Sequence, residues 1–125
     1  DGDESNDPLI VSVRAPEHYA LGHIEGAINI PWRTIADDAS LAMLPTDGSP
    51  IVVYCYTGHT GQVAMTALNL MGYPADNMKF GMMGWTLNDD VLATERFDLD
   101  SPARSTVVTV ALVHTRLWQD RKSVV

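Results

Sequence analysis

Short apolar runs alternating with helix-forming stretches constrain this chain more than any other feature. "PLIVSV" (8–13), "GAINIP" (26–31) and "IVVY" (51–54) have strand length and are rich in β-branched residues. "APEHYALGH" (15–23) suits a short helix, with Pro16 in the first turn, Glu17 at the positive end of the dipole and Gly22 as a stop. "WRTIADDASLAMLP" (32–45) reads as a second helix ended by Pro45, and "TDGSP" (46–50) as a turn. After residue 61 the period becomes helical. Val63, Ala67, Leu70 and Met71 share an apolar stripe, Gln62, Thr66 and Asn69 a polar one, and Gly72 caps the end. "NMKF" (77–80) is a fourth strand candidate, followed by the glycine-bearing "GMMGW".

Strands alternating with helices imply βαβ crossovers, hence a three-layer α/β/α domain around a central parallel sheet. The uniformly apolar "IVVY" fits a strand covered on both faces. In such sheets ligands collect beyond the carboxyl ends of the strands. Arg14 follows the first strand, Trp32 and Arg33 the second, Cys55 the third and Gly81–Trp85 the fourth, so one edge of the sheet gathers them all.

Cys55 is the single cysteine, which excludes an intrachain disulfide and a multi-cysteine metal site. It ends a strand, and "YTGHTG" (56–61) bridges it to a helix start. Such a loop can aim backbone N–H groups at one centre, and the helix N-terminus adds about half a positive charge. Cysteines so placed titrate at roughly 3.5–7.5 rather than about 8.5. Gly58 and Gly61 supply the conformational freedom, Thr57 and Thr60 hydroxyl donors, and His59 a titratable cation. The competing reading makes Cys55 a small buried core residue. A Cys-x5-Arg phosphatase loop is ruled out, because the sixth residue after Cys55 is Gly61. His18, His23 and His114 form no metal constellation.

These segments resemble the rhodanese-like domain family. "VSVRAPEHYALGHIEGAINIP" is similar to its first signature, "CYTGHTG" to its active-site loop and "KFGMMGW" to its later glycine-rich segment, in the right order across residues 8–100. The resemblance implies a sulfurtransferase that loads sulfane sulfur on Cys55 as a persulfide and passes it to a thiol, cyanide or protein acceptor, with no metal or organic cofactor. Tyr56, Thr57, Gly58, His59, Thr60 and Gly61 are then expected to bind the donor, with Arg14, Arg33 and Trp32 at the rim, although Arg14, following a strand three residues before Glu17, reads more readily as a structural ion-pair residue; Tyr56 and Trp85 are candidate pocket walls. The alternative within the family is a non-catalytic sulfur carrier or protein-interaction module. Ser12 stands where the family usually has an acid, so Arg14 lacks that partner, with Glu17 a substitute; Glu25 replaces a common proline. The loop carries no Lys or Arg, which disfavours a dianionic donor such as thiosulfate.

The net charge of −8 argues against a nucleic-acid partner, and no apolar run reaches the length of a membrane span. Charge divides the chain. Residues 1–103 hold 4 Lys/Arg against 15 Asp/Glu, whereas 104–125 hold 4 against 1. The reading is therefore an acidic, disordered leader (1–7), a domain over 8–103 and an atypical basic tail (104–125). The family's leading strand has no counterpart here. "STVVTVALV" (105–113) is β-prone and is expected to fill that vacant sheet edge, within one chain or by exchange in a dimer. The chain does not begin with Met, which points to trimming and leaves a cytoplasmic and an exported location both open.

Overall fold

The computed structural model of the chain describes residues 4–96 and 124–125. Four strands, β1 (Leu9–Ser12), β2 (Ile28–Asn29), β3 (Ile51–Tyr54) and β4 (Ala75–Asn77), form one sheet in the order β2-β1-β3-β4. Every pairing is parallel: Val11 opposes Ile28, Val11 also opposes Val53, and Val53 opposes Asn77. The helices are α1 (Pro16–Leu21), α2 (Asp38–Leu41), α3 (His59–Leu70) and α4 (Gly81–Trp85). A single 3-10 turn, Glu4–Asn6, leads into β1.

The period-two alternation of a strand divides the core into two layers. Val11, Val13, Ile51, Val53 and Cys55 share one cluster with Ala64 and Leu68 of α3. Ile10 and Tyr54 point the other way, toward Met82, Met83 and Trp85 of α4 and toward Val91 and Leu92. Both faces are covered, which is why the strands read as apolar throughout. Cys55 continues the inward row of Ile51 and Val53, so its side chain emerges on the α3 face.

Three sequence expectations change. The stretch 32–45 is not one helix but a 3-10 turn, Trp32–Thr34, and the separate α2. Asp37 between them is extended (φ −71°, ψ 147°), because adjacent aspartates favour a helix start over a helix interior. The fourth strand is Ala75–Asn77 rather than 77–80, since Gly81 N–H closes a turn on the Met78 carbonyl. Finally, most of the apolar stripe of α3 faces outward: Val63 is 54% and Leu70 84% exposed, and Met71 is exposed too, while Ala67 packs partly on the core and Gly61, Ala64 and Leu68 are buried. The helix docks through Ala64 and Leu68, with Gly61 at its first turn set close against Asn77 and the backbone of Cys55. Close approach outweighs hydrophobicity in setting its rotation.

The Asn69 carboxamide holds β4 from α3, bonding both the N–H and the C=O of Ala75 at 3.0 Å. Near the other sheet edge Val124 bridges antiparallel to Ile24, with mutual bonds between His23 and Val125. The segment 105–113, expected to complete the sheet or exchange in a dimer, lies outside the described residues. Among those residues, no helix is long and apolar enough to cross a membrane.

Candidate active site

Cys55 leaves β3 at the carboxyl edge of the sheet, and the chain turns over residues 56–58 into α3. Two backbone bonds fix this departure: Met82 N–H donates to the Cys55 carbonyl at 2.8 Å, and Met83 N–H to the Tyr56 carbonyl at 2.9 Å. That contact needs a glycine ahead of it. A Cβ on Gly81, whose φ is +51°, would collide with the Cys55 carbonyl. The loop is thus clamped from behind by the first turn of α4.

Gly58 makes the turn itself. Its φ of +99° lies in the left-handed region that glycine enters without steric cost, and a Cβ there would meet Phe80 N at 3.2 Å. This conformation aims the Gly58 N–H at Sγ of Cys55, 3.0 Å away. α3, twelve residues long, begins at the next residue and directs its positive end at the same place. Donor and dipole both favour negative charge on the sulfur.

The remaining loop residues surround this centre unequally. Thr57 Oγ1 and His59 Nδ1 are 2.8 Å apart at the exposed lip. Thr60 Oγ1 is buried without a hydrogen-bond partner. The Tyr56 ring turns away toward α1, where its hydroxyl accepts from Ala15 N–H at 3.0 Å and lies 2.6 Å from His18 Nδ1. Cys55 is only 1% exposed, with Tyr56, Thr57 and Gly58 half-buried over it and His59 exposed.

Trp32 and Arg33 reach the same edge of the sheet. Their turn packs against α3, Trp32 N–H bonds the Val13 carbonyl, and the Arg33 guanidinium lies 4.8 Å over the Trp32 ring. Arg33 is exposed and Trp32 packs on the cluster that contains Cys55.

Arg14 behaves otherwise: of its two readings the structural one holds, with carbonyls in place of an ion pair, and the substrate-facing one does not. It is fully buried, donating to the Val91 carbonyl at 3.0 Å, to the Gly22 carbonyl and to Ser12 Oγ at 3.4 Å. The rings of Tyr54 and Tyr56 lie under it at 5.6 and 5.8 Å. Carbonyl dipoles and π-faces replace a carboxylate partner, Glu17 included. A guanidinium so engaged ties β1, α1 and the segment at Val91 together and is not available to an anion. Trp85 likewise is no pocket wall; it is 2% exposed, in the cluster on the opposite face of the sheet from Cys55.

Two further residues shape the site. Gly81, placed at this sheet edge by the sequence but given no role there, carries the close approach to Cys55. Asn77, read there only as strand, donates from Nδ2 to the Gly58 carbonyl at 3.0 Å. The glycine-rich "GMMGW" hinted at the first; no local pattern marks the second.

The family model for the rhodanese-like domain matches residues 1–88. The chain belongs to the rhodanese-like domain family. Among curated proteins, the rhodanese-like domain is 36% identical over 63 residues to a thiosulfate sulfurtransferase of Escherichia coli, covering 50% of this chain and 60% of that one. It is 30% identical over 82 residues to an adenylyltransferase and sulfurtransferase of Yarrowia lipolytica, covering 66% of this chain and 20% of that one. It therefore spans 60% and 20% of the length of these two relatives, less than two thirds of either. Among solved structures, a rhodanese-like domain protein from Staphylococcus aureus superposes with a TM-score of 0.60 at 31% identity, covering 66% of this chain and 78% of that one. The three-layer fold with its parallel sheet is that of these neighbours.

Proposed function

We propose that this rhodanese-like domain is a sulfurtransferase with Cys55 as its nucleophile. In the first half-reaction the Cys55 thiolate attacks the outer sulfur of a donor, either thiosulfate or a small persulfide. The new S–S bond forms as the old one breaks, and sulfite or a thiolate leaves with the electron pair. In the second, an acceptor thiolate, cyanide or protein cysteine attacks the outer sulfur of the Cys55 persulfide, and the Cys55 thiolate departs. Each half balances without an external oxidant or reductant. The Gly58 N–H and the α3 N-terminus stabilise the anionic sulfur in both. Tyr56, Thr57, Gly58, His59, Thr60 and Gly61 form the cradle, with Trp32 and Arg33 at its rim.

The observation that carries this reading is the 3.0 Å bond from Gly58 N–H to Sγ at the start of α3, in a member of a family whose curated relatives include sulfurtransferases. The test is intact mass spectrometry after incubation with thiosulfate or a small persulfide, followed by turnover with cyanide and thiol acceptors. A gain of about 32 Da, one sulfur atom, is expected and should be absent in Cys55→Ser. No gain with any donor would show that the loop does not handle sulfur. Labelling without turnover would favour a carrier that delivers to a dedicated partner.

A further inference from the structure

Asn77 ends β4 and reaches across to the Cys55 loop, where two of its properties are unusual together. Its Nδ2 donates to the Gly58 carbonyl at 3.0 Å and approaches Gln62 Oε1 at 3.4 Å. Its Oδ1 is buried without a hydrogen-bond partner, pressed against Gly61 so closely that any Cβ there would collide. A buried orphan acceptor costs about 1–3 kcal/mol. A leucine of the same outline would avoid that cost, so stability alone does not account for an amide here. Rotating the amide would bring Oδ1 against the Gly58 carbonyl, so the observed orientation is the one that keeps the Nδ2 bond.

We propose that Asn77 is a positioning residue for the Cys55 thiolate, acting through Gly58. The peptide before Thr57 is held by Met83 N–H on the Tyr56 carbonyl, and the peptide after Gly58 by Asn77 Nδ2 and by Gln62 N–H at 3.1 Å. With both flanking planes fixed, the Thr57–Gly58 peptide between them keeps its N–H on Sγ. Without Asn77, the Gly58 carbonyl retains only the helical bond from Gln62. The glycine hinge is then free to swing its N–H off the sulfur. The inference deepens the sulfurtransferase reading, since a better-held donor makes a more available thiolate.

The test is alkylation of Cys55 by iodoacetamide across pH 5–10 in wild type, Asn77→Leu, Asn77→Asp and Gln62→Ala. Leu and Asp match the outline of Asn, and both remove the donor. Each is expected to alkylate about three- to tenfold more slowly at neutral pH, the worth of one hydrogen bond, with the pH–rate profile displaced upward. Gln62→Ala removes the weaker side-chain contact and should follow wild type. Wild-type rates in folded Leu and Asp variants would overturn the proposal, and so would failure of both to fold, which would assign Asn77 to stability alone. Alkylation needs no sulfur donor. An Asn77-dependent rate in a protein that transfers no sulfur would refute the sulfurtransferase reading and leave this one standing. Sulfur loading with Asn77-independent alkylation would do the reverse.

Discussion

Gly58 holds Cys55 by the sulfur: the glycine N–H lies 3.0 Å from Sγ in a backbone conformation, φ +99°, that side chains resist. Gly58→Ala should therefore injure function more than stability. The left-handed region costs a residue with a Cβ about 1–2 kcal/mol, which lowers the melting temperature by several degrees in a domain of this size. If the loop relaxes to relieve that strain, the N–H leaves the sulfur. Persulfide formation followed by mass spectrometry should then slow by more than tenfold. Full activity in a variant with the expected loss of stability would show that the Gly58 donor is dispensable.

Arg14 gives the opposite pattern. Arg14→Met removes three donors and leaves the Val91 and Gly22 carbonyls buried without a partner, a loss of about 3 kcal/mol or more. Urea unfolding should record it. At low temperature, the fraction still folded should load sulfur from thiosulfate with an unchanged KM. A stable Arg14→Met protein with a raised KM would return Arg14 to the substrate site.

His59 stands at the exposed lip, with Nδ1 engaged by Thr57, in a loop that has no fixed cation. His59→Arg adds a permanent charge and a planar donor where a dianion enters. KM for thiosulfate should fall by about three- to tenfold, and raising salt should erode the gain as exposed charges are screened. An uncharged sulfur donor should be indifferent to the change. Equal effects on both donors would mean that charge is not what the substitution altered.

Phe80, adjoining Gly58, has φ +63° and carries a Cβ in that region. Phe80→Gly relieves about 1–2 kcal/mol of strain, against lost contacts of a half-buried ring and the added freedom of glycine in the unfolded chain. These nearly cancel. The melting temperature should stay within a few degrees of wild type, unlike most changes of aromatic to glycine. A fall of ten degrees or more would show that the ring packs more tightly than its partial exposure suggests.

The sequence alone determined the parts of this protein that are local. β-branched runs, glycine stops and the placement of Cys55 between a strand and a helix each depend on residues within one or two turns of each other. From these, the parallel three-layer fold and the strand-to-helix position of Cys55 could both be read. Tertiary structure decided the rest, because each remaining feature joins residues distant in the chain. Arg14 read as a structural ion-pair residue or a rim cation, and its actual partner, the buried carbonyl of Val91, lies 77 positions away. The apolar stripe of α3 looked like its buried face, but the close fit of Gly61 between Asn77 and the Cys55 backbone turns the face of Gly61, Ala64 and Leu68 inward. Asn77 gave no sign at all, since its partner Gly58 comes within reach only once β4 has paired beside β3. Propensity and period are sums over neighbours; a hydrogen bond across a sheet edge is a coincidence of two backbones, and only the folded chain fixes it.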